Sequence, residues 1–587
     1  MGEEACTPAK CAAEVDPITL EIIRGKLLAI ADEMGIALAR SSMSPVIYEV
    51  LDFACGICDA EAQLVAQTNG ITLFTGTFAG QVEFIRRKFE DRMGPGDIYM
   101  TNDPYEGGTH TPDIALIKPV FVDGDVLAYA ISVAHWSEVG GSVAGSIAPD
   151  ASEIFQEGVR FPGIRIYREG ARQDDFEDLI AANVRLPKMS LGDLNAGLAA
   201  VRIADARLLE LAARYGAATL RACFDHILAI SERLSRAAVA ALPDGVYEAV
   251  DWIDGDGVVP DQIPVRVKVV VDGESITFDF IGCAEQRRGP INCAHGALLS
   301  SVKTVFKALV DPQAPSNEGY FRPVRVICPD GTVFTATQPA PTGWYYEGSA
   351  QASELVWKAL APLAPHRFSA GSYMSLCASY VCGKDPETGE MFVHIEPHDG
   401  GWGATDEHDG TSALIATTDG DTYNYSIELL EAKFPLRCAR YALNVEDGVG
   451  AGRHRGGFGV VREYEILADD AFTYASIGRS IERPWGLAGG ERGTPNYMEI
   501  ESSGEVRRMA RVPHVPLARG DRVRIVTGGG GGYGDRFTRS VEAVLADVRD
   551  DYVTQAVASE QYGVVLRPDG GIDQSATRAR RTAGGGA

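Results

Sequence analysis

From residue 47 to about 167 the chain is a series of short apolar runs separated by Gly, Asn and Asp; from 171 to 240 it carries few Gly or Pro. Short runs bounded by turn formers are strand signals, and apolar residues at three- and four-residue steps are a helix signal. Both textures in separate blocks place the chain in the mixed α/β (α+β) class, with several sheets and helical segments. At 587 residues it exceeds the size at which one core keeps growing, so a multidomain single chain is expected.

The expected organisation follows the texture. A loose tail occupies 1–15. Residues 16–170 form an N-terminal α/β region. It opens with a helix from Pro17 to about Ala39, with Ile18, Ile22, Leu27, Ala31, Met34 and Leu38 on its apolar side and Asp16 as N-cap. Strands are expected in DFACGICD, EAQLVAQ, GDIYMTND, DIALIKPVFVDG and VLAYAISVAHW, with QVEFIRRKFEDRM as a helix among them. Residues 171–240 read as a helical segment, 241–345 as β-rich, and 346–565 as a Gly-rich mixed α/β region that contains helices near 350–363 and at its end. The small, basic, Gly-rich run in 566–587 is expected to be a disordered tail.

Net charge is −27, from 54 basic and 81 acidic side chains. Such a surface repels a phosphate backbone, so nucleic acid is not expected as a partner. No apolar run reaches the about 18 residues of a membrane span, and the first residues have acids where a secretory signal needs an apolar core. The cytoplasm is the expected compartment. Eleven scattered cysteines do not form a disulfide framework. Cys55 and Cys58 have redox-motif spacing but lie in a strand-like run, which favours small buried residues over a redox pair.

The densest chemistry lies in TNDPYEGGTHTPD, residues 101–113, between two expected strands. His110 and Asp113 are three apart, and His135 ends the next strand. Nitrogen and oxygen donors from a turn and a neighbouring strand suit zinc, manganese or iron(II). Asp52 is a candidate fourth ligand. Spacing alone leaves the other reading open, in which these Asp side chains make turn bonds and the histidines are satisfied core residues.

Several segments together resemble the hydantoinase B family, which includes parts of 5-oxoprolinase and of the acetone and acetophenone carboxylases. They are LDFACGICDAEAQLVAQ (51–67), NDPYEGGTHTPDIALIKPVF (102–121), AHWSEVGG (134–141), EIFQEGVRFP (153–162), RCARYAL with GAGRHRGGFGVVREYE (437–465), RPWGLAGG (483–490) and TGGGGGYGD (527–535). The resemblance implies a divalent metal (Mn, Zn or Fe) held by Asp52, His110 and His135, with Asp113 as a further or alternative ligand. Asp103 and Tyr105 are then expected at the substrate pocket. Phe74 and Trp136 stand where many members have His, which removes polar groups and suggests an aromatic wall; Glu138 stands where Asp is usual. Glu49 and Glu138 are the candidate general acid/base groups, from their adjacency to the ligand segments.

By the same resemblance, ATP is bound by a partner, an A-type subunit with an actin-like ATPase fold, in a hetero-oligomer acting on a small-molecule substrate, with bicarbonate as a further candidate. The expected function is the metal-binding catalytic subunit of an ATP-dependent hydantoinase/oxoprolinase-type enzyme that opens a cyclic amide. The alternatives are a ketone carboxylase subunit and a non-catalytic scaffold. The competing motifs are weaker. HIEPHDGGWGATDEHDG (394–410) reads as an exposed loop or a pocket lining, the five glycines of 528–532 as a tight turn without the Lys-Ser/Thr of a P-loop, and RHRGGFG (453–459) as a minor candidate for anion binding. No G-x-S-x-G elbow is present.

Overall fold

Asp16 accepts a hydrogen bond from the Thr19 backbone N–H at 2.9 Å and starts helix α1 (Pro17–Ser41). The computed structural model describes residues 15–420 and 422–584, so the expected N-terminal tail lies almost wholly outside the described residues. The buried stripe of α1 is Ile23, Leu27, Ile30, Ala31, Met34 and Leu38. Ile18 and Ile22 are exposed, contrary to expectation, because at about 100° per residue they fall on the face of α1 opposite the buried stripe.

A one-turn helix α2 (Pro45–Tyr48) leads into the first sheet. Its strands are β1 (Phe53–Asp59), β2 (Leu64–Gln67), β3 (Ile98–Thr101), β4 (Asp113–Val122), β5 (Asp125–His135), β6 (Ile164–Arg168) and β7 (Ala171–Arg172), ordered β2-β1-β5-β4-β3-β6-β7 and antiparallel throughout. Between β2 and β3 run α3 (Thr72–Thr75) and α4 (Phe78–Phe89). Phe53 of β1 meets α1 at Gly35, whereas Gly56, three residues on and so on the other face, meets Phe78 of α4. Both faces are therefore covered. That is why every residue of β1 is buried and the strand shows no polar alternation. Cys55 and Cys58 also point to opposite faces, so they cannot pair with each other; both thiols are free.

The helical segment contains α5 (Asp175–Asn183), α6 (Pro187–Tyr215) and α7 (Ala217–Ala240). Helix α6 packs on α1 and on β4 and β5. A second sheet follows, from β8 (Gly245–Ile253), β9 (Ile263–Asp272), β10 (Ser275–Asp279) and β11 (Val324–Ile327), in the order β11-β10-β9-β8. The region expected to be β-rich also contains helix α8 (His295–Val310). Its buried Leu298, Val302, Val305 and Leu309 recur at three- and four-residue steps, with Lys303 and Lys307 on the less buried side, which is a helical period. Helix α9 (Tyr345–Leu360) is buried on nearly every side, as a helix packed against α8, β8 and β9 must be.

The remaining strands are β12 (Ala378–Lys384), β13 (Met391–Glu396), β14 (Leu436–Leu443), β15 (Val460–Ile466), β16 (Ala471–Ser476), β17 (Tyr497–Ser502), β18 (Glu505–Met509), β19 (Arg511–Leu517) and β20 (Arg522–Val526). They form two antiparallel sheets, β13-β12-β16-β19 and β14-β15-β20-β17-β18. Helix α10 (Ile427–Lys433) precedes β14. Helices α11 (Val541–Arg549) and α12 (Gln555–Tyr562) make the expected final helical element. The expected disordered tail instead contains α13 (Gln574–Gly584), whose Arg581 donates to the carbonyls of Tyr562 and Arg539. The chain is thus a mixed α and β multidomain chain of four mostly antiparallel sheets, whose apolar core runs continuously from Ile23 to Ile525.

The five glycines of 528–532 do not form a turn. They run between neighbouring main chains, and a Cβ on Gly530 would lie 2.0 Å from the Trp402 carbonyl and one on Gly531 2.0 Å from that of Trp485. The run is glycine because backbone packs on backbone there.

Candidate metal centre

Antiparallel pairing assembles the centre. Asp113 starts β4 and His135 ends β5, and the register sets them directly opposite, on one face of the sheet. The next pair in the ladder from β5 to β1 is Phe53 with Ala134, which brings Asp52 alongside; its carbonyl accepts from the His135 N–H at 3.1 Å. His110 enters from the turn before β4, where the Asp113 N–H donates to its carbonyl at 3.2 Å. His110, Asp113 and His135 are all buried.

Their donor atoms form a tight triangle. His110 Nε2 lies 3.0 Å from Asp113 Oδ1 and 3.2 Å from His135 Nδ1, and His135 Nδ1 lies 3.0 Å from the same Oδ1. The outer atoms of His110 and Asp113 are held elsewhere. His110 Nδ1 donates to the Gly343 carbonyl at 2.9 Å, which leaves the Nε2 lone pair facing inward. Asp113 Oδ2 accepts from Thr109 Oγ1 and from the Tyr345 hydroxyl at 3.0 Å, leaving Oδ1 free to face the imidazoles. His135 Nε2 is buried without a partner among the described residues. Burial pushes the Asp113 carboxyl up, but the two imidazoles beside it outweigh burial and hold it below the usual range. Two imidazole nitrogens and one carboxylate oxygen, with the outer atoms of His110 and Asp113 fixed, fit a divalent ion of the zinc, manganese or iron class.

The triangle opens on a narrow cleft that is partly open to solvent. Asp52 lines it. Burial raises the Asp52 carboxyl well above the usual range, opposed by His135 and reinforced by Asp419 and Asp113. Phe74, carried by α3, lines it. The far wall comes from the second half of the chain: Tyr345 and Tyr346 at the start of α9, Leu376, Ala378 and Tyr380 around β12, Ile395 and Pro397 at the end of β13, and Asp419. Asp419 is raised to about 7, first by burial and then by Asp113 and Asp399, against a hydrogen bond from Thr422.

Other expected site residues lie elsewhere. The Glu138 carboxylate accepts from the Gly140 N–H at 2.8 Å, Ser146 Oγ at 3.2 Å, Arg185 Nη1 at 2.7 Å and the Arg185 backbone. These bonds fasten the 138–146 loop to the chain before α6 and turn the carboxylate toward Arg185, outside the cleft lining. Glu49 caps the end of α2 and does not line the cleft. Trp136 is 2 % exposed and also outside the cleft lining, so only Phe74 contributes the expected aromatic wall from this half. Asp103 accepts from the Tyr105 N–H at 3.1 Å and faces Arg160 at 3.6 Å, and the Tyr105 hydroxyl donates to the Ala340 carbonyl. This pair braces the His110 loop against the 340–343 segment that holds the His110 ring.

The 394–410 cluster is not an exposed loop at its start. His394, Glu396 and His398 are fully buried, and only its later part, around His408, is exposed. Ile395 and Pro397 line the cleft, while the intervening polar side chains face away into a cluster with Arg462 and Tyr464. Arg455, in the RHRGGFG run, faces Asp547 at 3.1 Å and has no charge left for an anion.

Sequence reasoning missed Tyr345, Tyr346 and Asp419. They lie more than 200 residues from His110 and carry no local motif. Asn102 was inside the loop already singled out. Its amide donates to the carbonyls of Thr111 at 2.6 Å and Val159 at 2.9 Å, which holds the turn closed.

Residues 16–536 match the family model described as hydantoinase B/oxoprolinase. A protein named as a D-/L-hydantoinase component of the B type, from Pseudomonas sp. (strain NS671), is 33 % identical over 97 % of this chain and 98 % of its own length. The crystal structure of the ATP-dependent caprolactamase from Pseudomonas jessenii superposes with a TM-score of 0.89 at 29 % identity, over 97 % of this chain and all of that one. Nucleotide-free acetone carboxylase superposes with a TM-score of 0.90 at 19 % identity, over 97 % of this chain and 83 % of that one, a likeness of fold. The chain belongs to the hydantoinase B/oxoprolinase family.

Proposed function

We propose that this chain is the metal-binding catalytic subunit of an ATP-dependent enzyme that opens a cyclic amide, with ATP handled by an A-type, actin-like ATPase subunit in a hetero-oligomer. The observation that carries the reading is the triangle of His110 Nε2, His135 Nδ1 and Asp113 Oδ1, 3.0–3.2 Å on a side, at the floor of a cleft. The names of the relatives support it, one as a component of a hydantoinase and one as an ATP-dependent caprolactamase. A scaffold has no need of three convergent buried donors whose outer atoms are each fixed or enclosed.

A divalent ion held by His110, His135 and Asp113, with Asp52 beside them, would supply Lewis-acid polarisation of a carbonyl or activation of water. The chain's own residues do the rest. Tyr345 and Gly343 fix the orientation of Asp113 and His110. Phe74, Leu376 and Ile395 exclude bulk water from the reacting carbonyl. Asp419, buried on the far side of the cleft, is placed to take and return a proton, the role first sought in Glu49 and Glu138.

The test is chelation of the purified complex with its ATPase subunit. Chelator should abolish ATP-dependent ring opening of a lactam, and adding back manganese, zinc or iron should restore it. Full activity in a metal-free complex would reject the reading. Carboxylation of a ketone would use the same cleft and is separated by product: labelled bicarbonate carbon stays in a keto acid and not in an amino acid.

A further inference from the structure

No residue of the EIFQEGVRFP segment (153–162) lines the cleft, yet its Glu157 is wholly buried. Glu157 follows the single turn Ile154–Gln156, and its N–H donates to the Ile154 carbonyl at 3.1 Å. Its carboxyl group reaches the 340–343 segment. Oε1 accepts from the Gly343 N–H at 2.7 Å and Oε2 from the Thr342 N–H at 3.0 Å. Its own carbonyl accepts from Thr111 Oγ1, on the residue after His110. One residue thus joins the turn that carries His110 to the segment whose Gly343 carbonyl holds the His110 ring.

Three successive peptide groups of that segment are pinned from both sides. In the first, the Pro341 carbonyl accepts from Asn292 Nδ2 at 2.9 Å and the Thr342 N–H meets Glu157. In the second, the Thr342 carbonyl accepts from the Tyr345 N–H at 2.9 Å and the Gly343 N–H meets Glu157. In the third, the Trp344 N–H donates to the Pro290 carbonyl at 2.8 Å and the Gly343 carbonyl accepts from His110 Nδ1. Position 343 is glycine because a Cβ there would lie 2.9 Å from Glu157 Oε1.

Burial pushes the Glu157 carboxyl up to about 8, the two N–H donors pull against it, and no cation among the described residues faces it. Enclosing such a group costs stability. What it provides that an amide of the same shape cannot is two acceptors on one side chain. Both carboxyl oxygens accept with or without the proton, whereas the amide nitrogen of a glutamine can only donate.

Resting on the metal-centre reading above, we infer that Glu157 is a positioning residue for the metal: by holding the Thr342 and Gly343 N–H groups it fixes the carbonyl that orients His110, and so sets the affinity and geometry of the site. The test is Glu157→Gln in the full chain, loaded with cobalt(II) as a spectroscopic probe. Metal affinity, read by chelator competition, should fall about 10–100-fold, the range for losing a group that orients a ligand. At saturating cobalt the ligand-field bands should shift, because the His110 ring is no longer fixed. A role confined to stability would leave the bands of the folded protein unchanged.

Gly343→Ala displaces the same carboxyl group by its Cβ and should give the same loss, and the double variant should lose no more than either single one. This route keeps the test open if the glutamine variant does not fold. Gln156→Ala is the control. It removes the acceptor of the Ser152 and Glu153 N–H groups and should lower the unfolding midpoint without changing affinity or bands. Wild-type affinity and bands in folded Glu157→Gln or Gly343→Ala, or an equal loss in Gln156→Ala, overturn the inference. Failure of the metal-centre reading itself shows separately, as metal content unchanged by His110→Ala.

Discussion

Two buried groups of histidine and carboxylate sit on opposite sides of one cleft wall, and they are built for different ends. In the first, His110, Asp113 and His135 turn three donor atoms toward one point, and no Lys or Arg among the described residues lines the cleft to neutralise the carboxylate. In the second, Glu396 is already satisfied: Arg462 lies 3.0 Å away, and Tyr464 and the Tyr425 N–H donate to it. Burial pushes Glu396 up, but Arg462, together with His394 and His398, more than offsets it and holds Glu396 at about 2. His398 is neutral beside Ser379 at 2.8 Å, and among the described residues neither His394 nor His398 converges with a second donor set. Burial of His and Asp or Glu is common to both. What separates a metal seat from a structural network is whether a protein cation already occupies the charge.

The strongest way to break this comparison is to remove a histidine from each group. His110→Ala or His135→Ala should empty the centre, lowering metal content from near one per chain to near zero and activity by more than about 100-fold. His398→Asn should leave metal content unchanged. Metal lost from His398→Asn with the fold intact would show that the second group also ligates.

Arg462→Met should have the next largest effect, on stability. It strands Glu396 in the interior, and losing one partner of a buried pair costs about 3–5 kcal/mol. The midpoint of urea unfolding should fall accordingly while metal content stays near one. If metal falls too, the two groups are coupled through the wall they share.

Tyr345→Phe sharpens the first side of the comparison. It removes the hydroxyl that holds Asp113 Oδ2 and should weaken metal affinity by about 10–100-fold without emptying the site at saturating metal. Unchanged affinity in a chelator competition would mean that Thr109 alone orients the carboxylate.

The smallest expected effect is a pH dependence on the second side. Burial depresses His398 to about 3 from the 6.5 of an exposed imidazole. The unfolded chain therefore binds more protons than the folded one between these values. The contribution of His398 is complete above pH 6.5 and is lost as pH falls toward 3, by up to about 1.4 kcal/mol per pH unit. Glu396, depressed from 4.5 to about 2, adds a further loss below pH 4.5. Stability of the wild type measured from pH 7 to 5 should fall more steeply than that of His398→Asn; parallel curves would place the acid sensitivity elsewhere.

Sequence alone determined what local chemistry can determine. Asp16 and Pro17 marked the start of α1. Alternating textures marked the strands of the first sheet and the helices after it. His110, Asp113 and His135 were legible because one turn and one hairpin, β4–β5, bring them together, and antiparallel register is a short-range rule. Asp52 was named from its place at the start of the DFACGICD run, and Phe74 through the family resemblance. Glu138 was misjudged because adjacency to a ligand segment says nothing about direction: its carboxylate points to Arg185, 47 residues on. Helix α8 carried its period in Leu298, Val302, Val305 and Leu309, with Lys303 and Lys307 on the less buried side, but the strands that flank it on both sides masked it. Only the tertiary structure decided the far wall of the cleft. Tyr345, Leu376, Ile395 and Asp419 arrive by long-range packing of the second half against the end of the first sheet. It alone decided that Arg462 claims Glu396 and that the described lining of the metal cleft holds no Lys or Arg. Such pairings depend on which distant surfaces are buried together, and no local pattern encodes them.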